Sequence, residues 1–201
     1  MHRTERRRPA RRPAAPPAPA LFLAAALLAL PGSVRGFELV AATTTREGAE
    51  YLVRIEANFE APPERLLAVL TDYDRVHELH PRILESRSLG QVGPSTEEVY
   101  SRFEGCVLLI CRVVHRVEQI RADGGSLFAR DVPGRGSFRS GRTEWHFTPQ
   151  GNGARLRYEA RFVPAFMVAP IFGTAMLARL TEQMTLETMA AAERRALQAD
   201  D

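Results

Sequence analysis

Cys106 and Cys111 are the only cysteines, five positions apart around the aliphatic run Val107, Leu108, Leu109 and Ile110. In one continuous strand their side chains leave opposite faces and could not bond, whereas across a hairpin tip they could. Gly105, directly before Cys106, favours a turn, and a count of two leaves no orphan thiol. A disulfide is therefore the expected chemistry, with two buried thiols in one long strand as the alternative. Their spacing matches no structural zinc pattern. His77 and His80 lie three apart in a His-Glu-Leu-His run, one short of the four-residue spacing that aims two imidazoles at one zinc ion. Surface or capping roles are expected for them. Ser137 and Ser140 lack the strand–turn–helix context that exposes a nucleophilic hydroxyl, and Asp131 and Glu144 are not obviously paired carboxylates. These patterns predict no catalytic residue, no metal site and no cofactor.

What remains is the chemistry of binding. Trp145 and Phe147 share one strand face, as do Tyr158 and Phe162 on the next strand and Val113, His115 and Val117 on an earlier one. With Phe103, and with Met176 and Leu180 from a C-terminal helix, they are the expected lining of an apolar cavity. An inward His115 would hydrogen-bond a carbonyl or hydroxyl of a ligand, or be satisfied by Tyr158 or backbone. Four aliphatic residues at a closed tip must pack on the protein, gate the cavity or touch a membrane. Val107, Leu108, Leu109 and Ile110 are the expected portal, together with Phe166 and Phe172 from a run broken by Pro164 and Pro170.

These residues need elements to position them. Tyr51, Val53, Ile55, Ala57 and Phe59 alternate with polar neighbours, which marks a half-buried strand. Phe37 to Val40 and Ala41 to Arg46 read as extended before it. Ala61-Pro62-Pro63 ends the strand, and a short amphipathic helix follows over Glu64 to Leu70. Thr71 to Pro81 reads as a turn and broken helix. Strands follow over Arg82–Leu89, Glu97–Glu104, Cys111–Arg121, Ser126–Val132, Phe138–Thr148 and Ala154–Val163. The Gly- and Pro-rich joints between them are short enough to force antiparallel hairpins. Pro170 to Gln198 is a long helix with an apolar stripe through Met176, Leu177, Leu180 and Met184. One long helix and one sheet bury their apolar faces only against each other. The expected class is α+β, a curved antiparallel sheet of six to seven strands wrapped around the C-terminal helix, with a cavity between them.

Charge separates the chain into a leader and a body. All 27 basic residues are Arg, and seven of them fall in residues 1–36 with the single acid Glu5. The remaining 37–201 hold 20 Arg against 23 acidic residues, a formal charge of −3, so no nucleic-acid partner is expected. The basic arm runs into the apolar decamer Leu21 to Leu30, then Pro31, Gly32 and small residues, the pattern of a signal peptide cleaved before Phe37. A disordered leader on a cytosolic protein is the alternative. Export places the domain at 37–201 in the periplasm or outside the cell.

The run from Ile55 to Gly90 is similar to the opening of the START-like, helix-grip proteins often labelled polyketide cyclase or coenzyme Q-binding. Ala61-Pro62-Pro63, Thr71-Asp72-Tyr73-Asp74 and Pro81 carry the resemblance. The stretch from Gly136 to Phe166 resembles the family's two final strands. The resemblance implies the helix-grip fold and a cavity for a hydrophobic small molecule. The family includes carriers, quinone-binding proteins, cyclases and receptors, so fold alone does not choose. The expected function is an exported, non-catalytic carrier of a lipid or quinone, with transient membrane contact. A cyclase- or hydrolase-type enzyme using the same cavity is the alternative, and an interaction module with a filled cavity is a third.

Overall fold

A computed structural model describes residues 37–107, 110–168 and 173–198. Chain order is β1 (Glu38–Glu47), β2 (Glu50–Phe59), α1 (Pro63–Thr71), a 3-10 turn (Val76–Leu79), β3 (Ile83–Gly93), β4 (Thr96–Val107), β5 (Ile110–Asp123), β6 (Ser126–Asp131), β7 (Phe138–Gln150), β8 (Gly153–Pro164) and α2 (Gly173–Gln198). All eight strands form one antiparallel sheet in the order β1-β2-β8-β7-β6-β5-β4-β3. Helix α2 touches β1 and β2 at one edge and β4 near the other, so the sheet wraps around it. This is the helix-grip arrangement expected from the sequence, with one correction. The two extended pieces before Arg46 are a single strand, β1, hairpinned to β2, which raises the strand count to eight.

Local chemistry explains the elements. In β2 the period of two buries Tyr51, Val53, Ile55, Ala57 and Phe59. Each faces a β8 partner: Tyr51 pairs with Phe162, Val53 with Ala160, Ile55 with Tyr158, Ala57 with Leu156 and Phe59 with Ala154. Cross-strand partners lie on the same face, so these pairs make one apolar wall. Pro63 opens α1, where its missing N–H costs nothing. Gly124 and Gly125 join β5 to β6 with φ of 52° and 88°, the left-handed pair that a two-residue hairpin requires.

The C-terminal half of α2 closes on the apolar wall through Met189 and Ala196, both nearly fully buried. Three polar contacts hold it there. Glu193 accepts hydrogen bonds from the backbone N–H groups of Glu60 and Ala61, where β2 turns into α1. His80 is bonded through Nε2 to Glu187 at 2.7 Å, and its Nδ1 accepts from the Arg82 N–H at 3.0 Å. Because Nδ1 accepts, Nε2 carries the proton and donates. Arg195 pairs with Glu78. His80 is thus 4% exposed and bridges to α2, not the surface or capping residue expected. The helix partner lies 107 positions away, which no local pattern could supply. Asp74 accepts from the Ser88 N–H at 2.9 Å, fastening the turn that follows α1 to β3.

Candidate functional site

The N-terminal half of α2 meets the sheet at its flanks, with Glu182 bonded to Thr44 of β1 at 3.0 Å and Leu180 against Gly105 of β4. Between them lies a cavity of about 580 Å³. Helix positions Leu177, Leu180, Thr181, Met184, Thr185 and Thr188 face it, one stripe at three- and four-residue spacing. Each of the three threonines donates its hydroxyl to the carbonyl four residues earlier, so no polar hydrogen of theirs is left over. Most of the sheet-side lining is apolar, and the rim reaches Phe166, Met167 and Arg112. Met167 is 92% exposed, and the Arg112 guanidinium lies over the Phe166 ring at 4.9 Å.

Phe103, Trp145, Tyr158, Phe162, Leu180 and Phe166 line the cavity. Trp145 meets Tyr158 edge-on at 4.7 Å between ring centres, and Phe162 stacks on Tyr51 at 5.3 Å. Phe147 does not line it. Its ring is buried against Phe59, at the end of the wall that α1 and α2 close. Met176 lies one position off the stripe that Leu177 begins and is not among the lining residues. Leu108, Leu109 and Phe172 lie outside the described residues, while Val107 and Ile110 pair at the end of the β4–β5 hairpin.

Val113 and His115 require a correction: β5 turns the opposite face inward. Val114, Arg116, Glu118 and Ile120 line the cavity, whereas Val113 is 50% exposed. The exposed His115 is hydrogen-bonded on the far face by Ser137, which receives the His115 N–H at 3.1 Å and donates its own N–H to the His115 carbonyl at 2.8 Å. The cause is hairpin register. Cys106 stands opposite Cys111, and they are disulfide-bonded as expected. That register sets Phe103 opposite Val114, so an inward Phe103 demands an inward Val114. Both faces of β5 carry valines, so periodicity alone could not choose. The register implied by the expected disulfide could have.

The inverted face brings a polar cluster that sequence reasoning missed. Arg116 Nε and Nη2 reach Asp131 Oδ1 at 2.9 and 2.8 Å, and Nη2 reaches Glu118 Oε1 at 3.0 Å. Glu118 and Asp131 stand opposite each other across β5 and β6. Burial pushes the Glu118 carboxyl above its ordinary pKa; Arg116 opposes this and the Asp131 charge adds to it. Burial also works against the Arg116 charge, but Glu118 and Asp131 more than offset that and raise its pKa. Burial pushes Tyr158 up to about 12, and Tyr73 up to about 12, helped by Glu97 and Glu118. Both phenols line the cavity in their neutral form. The arrangement can hold an apolar body and hydrogen-bond an oxygen atom on it.

Among the described residues, one group has metal-like clustering: Glu104, Cys106 and Cys111. Its two sulfurs are bonded to each other, so it offers no thiolate. No described helix is long and apolar enough to cross a membrane.

Residues 52–196 match the family described as polyketide cyclase / dehydrase and lipid transport. The chain belongs to this family. Among solved structures it is similar to a protein of Thermus thermophilus, at 21% identity and a TM-score of 0.61, over 75% of this chain and 99% of that one. It is also similar to the Zhui aromatase/cyclase from Streptomyces sp. R1128, at 15% identity and 0.62, over 76% and 96%. A STAR-related lipid transfer protein from Xanthomonas axonopodis matches at 14% and 0.54, over 76% and 98%. At these identities the likeness is one of fold. No curated protein sequence matches the chain.

Proposed function

We propose that this family member is an exported, non-catalytic carrier or binding protein for a single apolar or amphipathic molecule, such as a lipid or quinone. The observation that carries this reading is the cavity of about 580 Å³ with mainly apolar walls. That volume lies within the range of small-molecule sites, about 300–1,000 Å³. Apolar walls of this extent offer dispersion contacts to a ligand of matching size. The family description and the lipid transfer neighbour agree with it. Export is supported by the signal-like leader and by the Cys106–Cys111 disulfide, since disulfides persist in oxidising compartments. The exposed Met167 at the rim supports transient membrane contact during loading. Mass spectrometry of an organic extract from natively purified protein tests the reading. One co-purified hydrophobic species at near-equal molar ratio is expected, and an extract free of any such species would overturn it.

One observation favours a second reading, an enzyme of the cyclase or hydrolase type. Arg116, Glu118 and Tyr158 line the same cavity, and groups displaced from their ordinary pKa values gather at catalytic sites. Conversion of an extracted ligand by wild-type protein, abolished by Glu118→Gln, would establish this reading in place of the first.

A further inference from the structure

Arg116 is the deepest fixed cation that the cavity could offer to a ligand, and its surroundings decide what it can hold. The guanidinium is already engaged by two carboxylates, Asp131 and Glu118, at 2.8–3.0 Å. Asp131 cannot swing aside: its side chain is 6% exposed, and its Oδ2 lies against Gly141, where a Cβ would stand only 2.1 Å from that oxygen. A carboxylate or phosphate head would therefore meet two negative groups with each approach to the one positive group. Like charges held close together in a largely buried site repel strongly. The rim cation Arg112 is itself engaged, since its guanidinium lies over the Phe166 ring.

Uncharged oxygen finds the opposite. Arg116 Nη1 has no partner among the described residues, and Arg116 faces the cavity. The Tyr73 phenol, which also lines the cavity, holds its proton, and a ligand hydroxyl could in turn donate to the Glu118 carboxylate. A donor-rich floor suits a carbonyl or hydroxyl.

Size narrows the class further. A water takes about 30 Å³ of liquid, and a methylene is similar, so about 580 Å³ corresponds to roughly twenty heavy atoms. That is one chain or a compact ring system, and it is far below a two-chain phospholipid.

We infer that the cavity takes an uncharged amphiphile with a single chain or ring body, whose carbonyl or hydroxyl sits at Arg116 and Glu118, and that it rejects carboxylates and phosphates of the same shape. The inference rests on the binding function proposed above. Retinol, methyl retinoate and retinoic acid share one skeleton of suitable size, and only the acid is charged near neutral pH. Trp145 lines the cavity and is the only tryptophan, so quenching of its fluorescence reports occupancy. Nile red, a neutral apolar dye, reports the cavity independently. Retinol and methyl retinoate are expected to bind about tenfold or more tightly than retinoic acid. The double variant Glu118→Gln with Asp131→Asn leaves Arg116 without a competing carboxylate and should recover about tenfold in retinoic acid affinity. Its folding is checked by thermal unfolding, and the wild-type comparison of acid with ester decides the matter if the variant unfolds. Equal binding of acid and ester would overturn the inference, as would Nile red binding with no retinoid binding. In either case the carrier function stands. Folded protein that binds neither Nile red nor any retinoid would overturn both.

Discussion

At the residue scale, two side chains on the cavity wall have separable effects. Trp145 contributes packing: its indole meets Tyr158 edge-on and stacks beside Phe147. Trp145→Ala should destabilise the protein by about 3 kcal/mol, the low end for an aromatic truncation because the ring is only half-buried, and should weaken ligand retention. Urea unfolding and dye binding measure the two effects. Glu118 contributes a titration. Its pKa is raised in the folded chain, so the fold binds this proton more tightly than the unfolded chain does. That contribution is fully present below the ordinary value of 4.5 and is lost as pH rises through the higher folded value. Relative to Glu118→Gln, wild-type protein should therefore lose stability as pH rises above the ordinary value of 4.5 in paired urea titrations. A difference that stays constant as pH rises would mean that the Glu118 pKa is not raised by folding.

At the element scale, α2 closes on the apolar wall with its C-terminal half and roofs the cavity with its N-terminal half. Its C-terminal half depends on Glu193, which is 1% exposed and receives the N–H groups of Glu60 and Ala61. Glu193→Ala strands both donors and should cost about 3 kcal/mol, whereas Glu193→Gln keeps an acceptor and should cost less. Thermal unfolding of the two variants distinguishes a hydrogen-bond role from simple packing. The β4–β5 hairpin has its own clamp. Replacing Cys106 and Cys111 together by Ser removes a short closed loop and should cost about 2 kcal/mol, read as the difference between oxidised and variant protein in denaturant. The same clamp holds the register that turns Arg116 and Glu118 inward.

At the scale of the whole molecule, the sheet and α2 enclose a cavity of about 580 Å³. Residues 37–201 carry a formal charge of −3, and the basic residues of the leader reverse that sign for the full chain. Mature protein from its native host is expected to begin near Phe37 and to migrate as an acidic protein. N-terminal sequencing and isoelectric focusing check this, and a chain that still begins at Met1 would return the protein to the cytosolic alternative.

The class of fold was legible in the chain because it depends on periods and punctuation. The alternation in β2, the short Gly- and Pro-rich joints and the three- and four-residue stripe of α2 leave only one way to bury the apolar faces. The disulfide was legible for a similar reason, since five positions and a preceding glycine admit a hairpin tip. The polar part of the candidate site was not. Nothing local marks Arg116, Glu118 and Asp131 as buried, because a buried charge announces itself only through partners on other strands. His80 likewise owes its burial to Glu187 on a helix far along the chain. The direction in which β5 faces is set by hairpin register, and moving one residue exchanges every side chain between cavity and solvent. Local pattern determines which segments become strand or helix. Only the assembled sheet, with α2 across it, decides which charges lie inside and so what the cavity can hold.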